Sequence, residues 1–343
     1  MGELRRLNIE WNRLTEAARE RGIYHVDVPE VGRQFRVQPR AHFQISRVEA
    51  RARVARLRDV VAPFFAPDLS TGSTAGVDTF GIEIELMLPR NLTSNGLAEK
   101  IRQAGVMCNE ERGSTIHATR TYWKIVGDGS LRSYNGRELV SPPLSGEEGF
   151  AQIRKVGQVL TANNCKVNLR CGFHVHVGIA RHSVDTWRRV FKIFKKWEPA
   201  IDSFMAPSRR GNGYCGSLLM LDPHRFATAT TLNDLRSAVG QSTNDPRSPQ
   251  RYRKVNFLAM LQHRTVEFRQ HQGTVDSQKM EMWVKFILRC VAKSESEYGS
   301  LDDQPSNLFS LLSFVGCTET EKNFFNGRAQ YFSTHSNVRG RHD

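Results

Sequence analysis

Apolar residues alternate along Phe80, Ile82, Ile84, Leu86 and Leu88, the period of a strand with one buried face. Glu83 and Glu85 then share the opposite face, where two ionised carboxylates repel each other unless a cation or basic group lies between them. The pattern returns twice. Over 171–179, Phe173, Val175, Val177 and Ile179 form the apolar row, while His174 and His176 face the other way with Gly172 and Gly178 leaving room around them. Over 264–271, Val266 and Phe268 oppose Thr265, Glu267, Arg269 and His271. Shorter strands are predicted over 122–126, running into the turn Gly127-Asp128-Gly129-Ser130, and over 137–141, where Glu138 and Val140 share a face. A further strand is predicted over 252–258.

Helical spacing predicts helices over 1–22, 44–62, 146–164, 183–205, 231–238, 277–293, 306–315 and 319–331, with a short one after Ser94-Asn95. The 44–62 helix uses Val48, Val54, Leu57, Val60 and Val61 as apolar positions and ends at Pro63 and Pro67. The 183–205 stripe of Trp187, Val190, Phe191, Phe194, Trp197, Ile201 and Phe204 reads as core. Small residues over 68–76 predict a linker between an accessory N-terminal region, 1–70, and a main unit, 77–332, with a disordered tail over 333–343. Short extended pieces are expected over 23–45, a polar loop over 241–250, and a basic, glycine-rich loop over 208–216. That loop reads equally as a phosphate cradle carrying Arg209 and Arg210 or as a plain surface loop, and it lacks the Gly-Lys-Ser/Thr of a P-loop.

If these strands share a sheet, one face holds Glu83, Glu85, Glu138, Glu267, His174, His176 and Arg269, which no apolar core tolerates. Such a face lines a polar cavity. Carboxylates with an imidazole suit Mg²⁺ or Mn²⁺, above all when substrate phosphates complete the shell, and an arginine two residues from a ligand carboxylate can bind a phosphoryl oxygen.

The net charge of +14 favours an anionic partner, and Arg47, Arg51, Arg53, Arg56 and Arg58 concentrate it in one segment that reads first as a solvated helix face and second as a docking arm for an acidic macromolecule. The six cysteines show neither CxxC nor finger spacing and read as buried thiols. No run is long and apolar enough to span a membrane and no signal-type apolar region opens the chain, so no membrane association and a cytoplasmic location are expected.

The ordered set GIEIE, DGS, GRELVSPPL, CGFHVHVG, a basic strand with Asn256, and TVEFRQHQGT, over roughly 77–295, resembles the amidoligase family of carboxylate–amine ligases, relatives of glutamine synthetase and glutamate–cysteine ligase. The resemblance implies an α+β fold, a mainly antiparallel sheet forming a funnel for ATP and divalent metal, with helices on the convex face. By position it implies Glu83, Glu85, Glu138, Glu267 and one of His174 and His176 as metal ligands or phosphate contacts, His176 on the metal and His174 on the cofactor. Arg269 would steady the transferred phosphoryl group, with Arg209, Arg210, Lys254 and Asn256 as further cofactor contacts. The family often offers one more acid soon after the second; here none follows Glu138 until Glu147, and Asp128 is the substitute. The implied chemistry is ATP-dependent amide formation through an acyl phosphate, on a carboxylate and an amine that the sequence does not identify. The resemblance implies a peptide, small metabolite or protein substrate, the classes on which relatives, some in phage genomes, are inferred to act. Two other readings compete. An iron enzyme of the cupin sort would use His174 and His176, but it wants a Glu just after them that Gly178-Ile179-Ala180-Arg181 does not provide. A basic nucleic-acid-binding or assembly protein accounts for the charge and leaves the inward acids unexplained.

Overall fold

The structure, a computed structural model, describes residues 2–20, 24–28, 33–40, 42, 44–65, 78–112, 118–131, 135–240, 248–296 and 299–335. The chain divides into two compact units, Met1–Pro67 and Asp68–Asp343. The predicted linker 68–76, most of the polar loop (241–247) and the tail beyond His335 lie outside the described residues. Among the described residues no helix is long and apolar enough to cross a membrane.

In the first unit, α1 (Gly2–Glu20) is followed by a hairpin of β1 (His25–Val28) and β2 (Arg33–Arg36), then by α2 (Arg47–Phe65). Leu7, Trp11, Leu14, Val26, Val37, Val54 and Leu57 make its core. Two expectations need correction. α2 continues through Pro63, because a proline near a helix end forfeits only one backbone bond. Val48 is exposed, since it falls in the first turn, off the face that meets α1. The basic segment is partly neutralised within this unit: Arg51 and Arg47 pair with Glu3, and Arg53 with Glu49.

The second unit mixes helices with a seven-stranded, mostly antiparallel, open sheet. Its elements are β3 (Phe80–Met87), α3 (Ser94–Gln103), β4 (Cys108–Glu110), β5 (Trp123–Gly127), β6 (Gly136–Val140), α4 (Gly146–Ala162), β7 (Gly172–Gly178), α5 (Val184–Lys196), α6 (Glu198–Ser203), α7 (Pro223–Ala227), α8 (Leu232–Ala238), β8 (Val255–Asn256), α9 (Ala259–Gln262), β9 (Thr265–Gln272), α10 (Ser277–Glu295), α11 (Leu308–Phe314) and α12 (Glu319–Thr334). Strand order is β4-β5-β6-β3-β7-β9-β8, and only β4 and β5 run parallel. The apolar row of β3, Phe80, Ile82, Ile84 and Leu86, is buried, as are the rows on β7 and β9, under α3, α4, α5 and α10. α4 lies so close to α10 that a Cβ at Gly157 would stand 2.6 Å from Ser277 Cβ.

The register stacks the polar face. Glu85 is opposite Glu138, Glu83 opposite His174, and Glu267 has His176 on one side and Asn256 on the other. Central β3 is thus flanked by the two strands whose polar residues had the same phase in sequence.

Several boundaries differ from the sequence reading. The 183–205 stripe is two helices, α5 and α6, because Pro199 has no N–H to give to the carbonyl four residues back; the stripe is buried throughout. The 252–258 strand shrinks to Val255–Asn256, and α9 intervenes before β9. α12 runs through Thr334, so Ser333 and Thr334 are helical. His271 was expected on the polar face. From Val175↔Phe268 to Phe173↔His271, β7 advances two residues and β9 three, so β9 carries a bulge. It turns both Gln270 and His271 toward the helices. Gln270 donates to Asp202 on α6 (2.7 Å), and the His271 ring packs between Phe173 and Trp283.

Lys254 also faces away from the polar side. Its ammonium, 1% exposed as a side chain, donates to Glu198 (3.0 Å) and Asp202 (2.6 Å) on α6. Glu198 in turn accepts from Ser217 Oγ and the Leu218 N–H. Lys254→Met leaves the buried Glu198 and the half-buried Asp202 short of their cation, and should cost about 3–5 kcal/mol in urea unfolding. A cost below ~1 kcal/mol would mean that the pair is solvated in solution.

Candidate active site

Each acidic or basic residue of the polar face owes its aim to strand alternation, and the sheet brings the alternations into one cavity of about 570 Å³. It is lined by Glu83, Glu85, Glu138, Glu267, His174, His176, Asp128, Asn256, Arg209 and Arg269, all singled out from the sequence. The structure does not bring in Lys254, held in its α6 network, or Arg210, whose Nε donates to the Met205 carbonyl at 3.1 Å.

Glu83 stands between the imidazoles, 3.2 Å from His174 Nδ1 and 3.2 Å from His176 Nε2. Burial alone would push its carboxyl up, but His176 and His174 outweigh that and hold it well below the usual range. Glu267 lies 3.4 Å from His174 Nδ1, pairs with Arg269 Nη1, and accepts from Asn256 Nδ2 at 2.7 Å. Against the burial penalty, Arg269 and the imidazoles bring its pKa down to about 2. Burial disfavours the His176 cation, yet Glu83 and Glu267 raise its pKa, and Thr265 Oγ1 meets Nδ1 at 2.8 Å.

The other pair of acids is under opposite pressure. Glu85 accepts from the Gly172 N–H at 2.6 Å and is raised by burial. Glu138 is raised well above its ordinary value by burial and by Glu83, Glu85, Asp128 and Glu267. Asp128 accepts from Ser130 N and Oγ at 2.8 and 2.7 Å, which fixes its carboxylate toward Glu85 and Glu138.

Three candidate ligand sets follow: Glu83–His176–Glu267, Glu83–Glu138–His174 and Glu85–Asp128–Glu138, each with its donor atoms within 4.8 Å of one another. Oxygen-rich sets that share Glu83 and Glu138 fit hard divalent cations. Gly172 matters here: a Cβ would come within 2.5 Å of His174 Nε2 and 3.3 Å of Arg209 Nη2. Arg209 itself is buried and donates to the Arg269 carbonyl, which ties the basic loop to β9.

Residues the sequence reading missed complete the rim. Arg170, Tyr214, Arg251, Tyr252 and His263 line the cavity. The Arg251 guanidinium lies 4.7 Å from the centre of the Tyr252 ring, which meets Tyr214 edge-on. Tyr214 is the one aromatic in the glycine loop, a signal that was available; Arg251 and His263 carry none. A second cavity, about 270 Å³, lies along the same strands and shares Glu83, Glu138, His176 and His263 with the first. Its own walls include Lys124, Ser141, Pro142, Pro143 and Ile179.

The bulge gives a separate pH test. Burial, then the positive charges of Arg328, Lys279 and Arg209, hold His271 well below an ordinary imidazole pKa, although Gln272 O opposes this. The unfolded chain therefore binds a proton that the folded chain refuses. This stability is fully present above about pH 6.5 and falls as pH drops toward the folded value. Thermal melts of wild type should lose more between pH 8 and pH 5 than melts of His271→Phe, and parallel profiles would show that His271 protonates freely.

Residues 77–291 match the family described as "putative amidoligase enzyme". The match spans more than half of the 343 residues and contains every residue of the cavity named above, so the chain belongs to the amidoligase family. No curated protein compared with it matches significantly.

Proposed function

We propose that the protein is an ATP-dependent carboxylate–amine ligase working through an acyl phosphate, its sheet face and loops forming a glutamine-synthetase-like funnel. The observation that carries this reading is the meeting of two cavities at one group of side chains, Glu83, Glu138 and His176, with His176 Nε2 3.2 Å from Glu83. Phosphoryl transfer needs the attacking oxygen and the departing oxygen roughly in line. A nucleotide held in the larger, arginine-rimmed cavity and a carboxylate held in the smaller one would meet at that shared set.

Glu83, Glu85, Glu138, Glu267 and His176 would hold Mg²⁺ or Mn²⁺, with Asp128 beside them, and bound metal would neutralise the β- and γ-phosphates. Tyr214, Tyr252 and Arg251, which line the cavity, would offer a stacking surface for the base, and Arg209 and Arg170 on the same lining would meet the phosphates. His174, wedged among Glu83, Glu85 and Glu267, keeps these acids apart and is a positioning group. In the first step a substrate carboxylate oxygen bonds to the γ-phosphorus as the bond to the bridging oxygen of ADP breaks. Arg269 is aimed by Glu267 and by the Tyr214 carbonyl, and its planar fork stabilises the charge that moves. In the second step the amine bonds to the acyl carbon, phosphate leaves, and a carboxylate of the cluster accepts the amine proton.

Hydroxylamine is a general amine acceptor, so the test does not need the natural amine. Protein, ATP, Mg²⁺ and hydroxylamine, incubated with pools of amino acids and peptides bearing free carboxylates, should release ADP together with an equal amount of hydroxamate. Calorimetry that detects no ATP binding with Mg²⁺ or Mn²⁺ present would overturn the reading.

A further inference from the structure

A third cavity, about 350 Å³, opens where the end of β9 meets α10 and α12, apart from the residues assigned above. That volume is roughly a dozen waters. Lys279 from the first turn of α10 and Arg328 from α12 line it, and among the described residues no acid does. Lys279 has Asp276 at 3.7 Å, a carboxylate outside the lining. Arg328 differs. Its Nε donates to the Phe204 carbonyl at 3.2 Å, its plane lies over Phe332 and Phe324, and its buried Nη2 has no hydrogen-bond partner. Burial pushes its pKa down to about 10 despite Asp276, the mark of a cation whose surroundings do not balance it. Such a group is costly unless something completes it.

We infer that this cavity binds a small, flat organic anion, with the carboxylate on Lys279 and on the part of the Arg328 side chain that lines the cavity, and the apolar body between Phe324, Phe332 and Tyr331. The charge of the lining selects an anion, and the three rings favour a conjugated or aromatic body over a hydrated inorganic ion. The site stands independently of the ligase reading, since it shares none of that reading's residues.

Gly327 supplies a clean test. It lines the cavity on the same helical face as Tyr331, and a Cβ there would meet nothing within 4 Å. Gly327→Leu therefore fills the space without strain and replaces a glycine in a helix by a good helix former, which should raise Tm. Ligand-observed NMR would titrate the full chain with sodium benzoate, with benzyl alcohol as the neutral comparison. Wild type should bind benzoate saturably and benzyl alcohol at least ~10-fold more weakly, the scale of one charge-assisted hydrogen bond. Arg328→Gln should weaken benzoate by a similar factor, and Gly327→Leu should abolish binding while remaining folded. No saturable binding to wild type, or wild-type affinity in both variants, would overturn the assignment.

Discussion

Glu138→Gln should raise the Tm of the protein by ~2–4 °C, equivalent to about 1 kcal/mol in a unit of this size, and should weaken Mn²⁺ binding by ~100-fold or more. The two effects have one origin. Glu138 faces Glu85 across the β3–β6 ladder and shares donor-atom distances under 4.8 Å with Glu85, Asp128 and Glu83. Its charge is resisted by every acid around it, and Gln keeps the shape while removing the repulsion. Because the side chain opens to the cavity, water screens part of that repulsion, which limits the gain. The same substitution removes one oxygen donor's charge from two of the three ligand sets, and losing a ligand should cost no less than losing a residue that supports one. Glu83→Gln should move Tm the other way, since Glu83 is the carboxylate that both imidazoles stabilise. Equal Mn²⁺ affinity in wild type and Glu138→Gln, read by calorimetry, would remove Glu138 from the metal set.

Arg269→Lys should leave ATP affinity near normal and lower turnover ~100-fold or more, the scale for removing one preorganised stabiliser of transition-state charge. Lysine keeps the charge that Glu267 needs but cannot hold Glu267, the Tyr214 carbonyl and a phosphoryl oxygen in one plane. The step to watch is acyl-phosphate formation, followed by positional isotope exchange in γ-labelled ATP with carboxylate and no amine. Wild-type exchange in the lysine variant would reduce Arg269 to the ion-pair partner of Glu267.

Much of the site was legible because strand alternation is local. Glu83, Glu85, His174, His176 and Glu267 could be assigned to faces from five-residue windows, and the sheet needed only to place β3, β7 and β9 side by side. What escaped depends on events that a window does not contain. The bulge that turns His271 inward is a mismatch between two strands, invisible in either one. Lys254 looked like a cofactor contact because the resemblance set it beside Asn256 on one basic strand; a two-residue strand left it free to reach Glu198 and Asp202, far away in sequence. Pro199 was a local signal, outweighed by a stripe of buried aromatics that continues across the break. The second cavity depends on five strands and the loops beside them and left no trace in periodicity.

The bulge also has a mechanical side. Outside the paired register of β7, the Arg269 carbonyl is taken by the Arg209 guanidinium and the Cys215 thiol, while the Arg269 N–H goes to Lys254 O. The backbone that carries one basic group is thus the anchor for the loop that carries another. The two guanidinium groups are linked through one carbonyl, like jaws on one hinge pin, and a change that loosens the loop's grip at Arg209 should register kinetically as a change at Arg269.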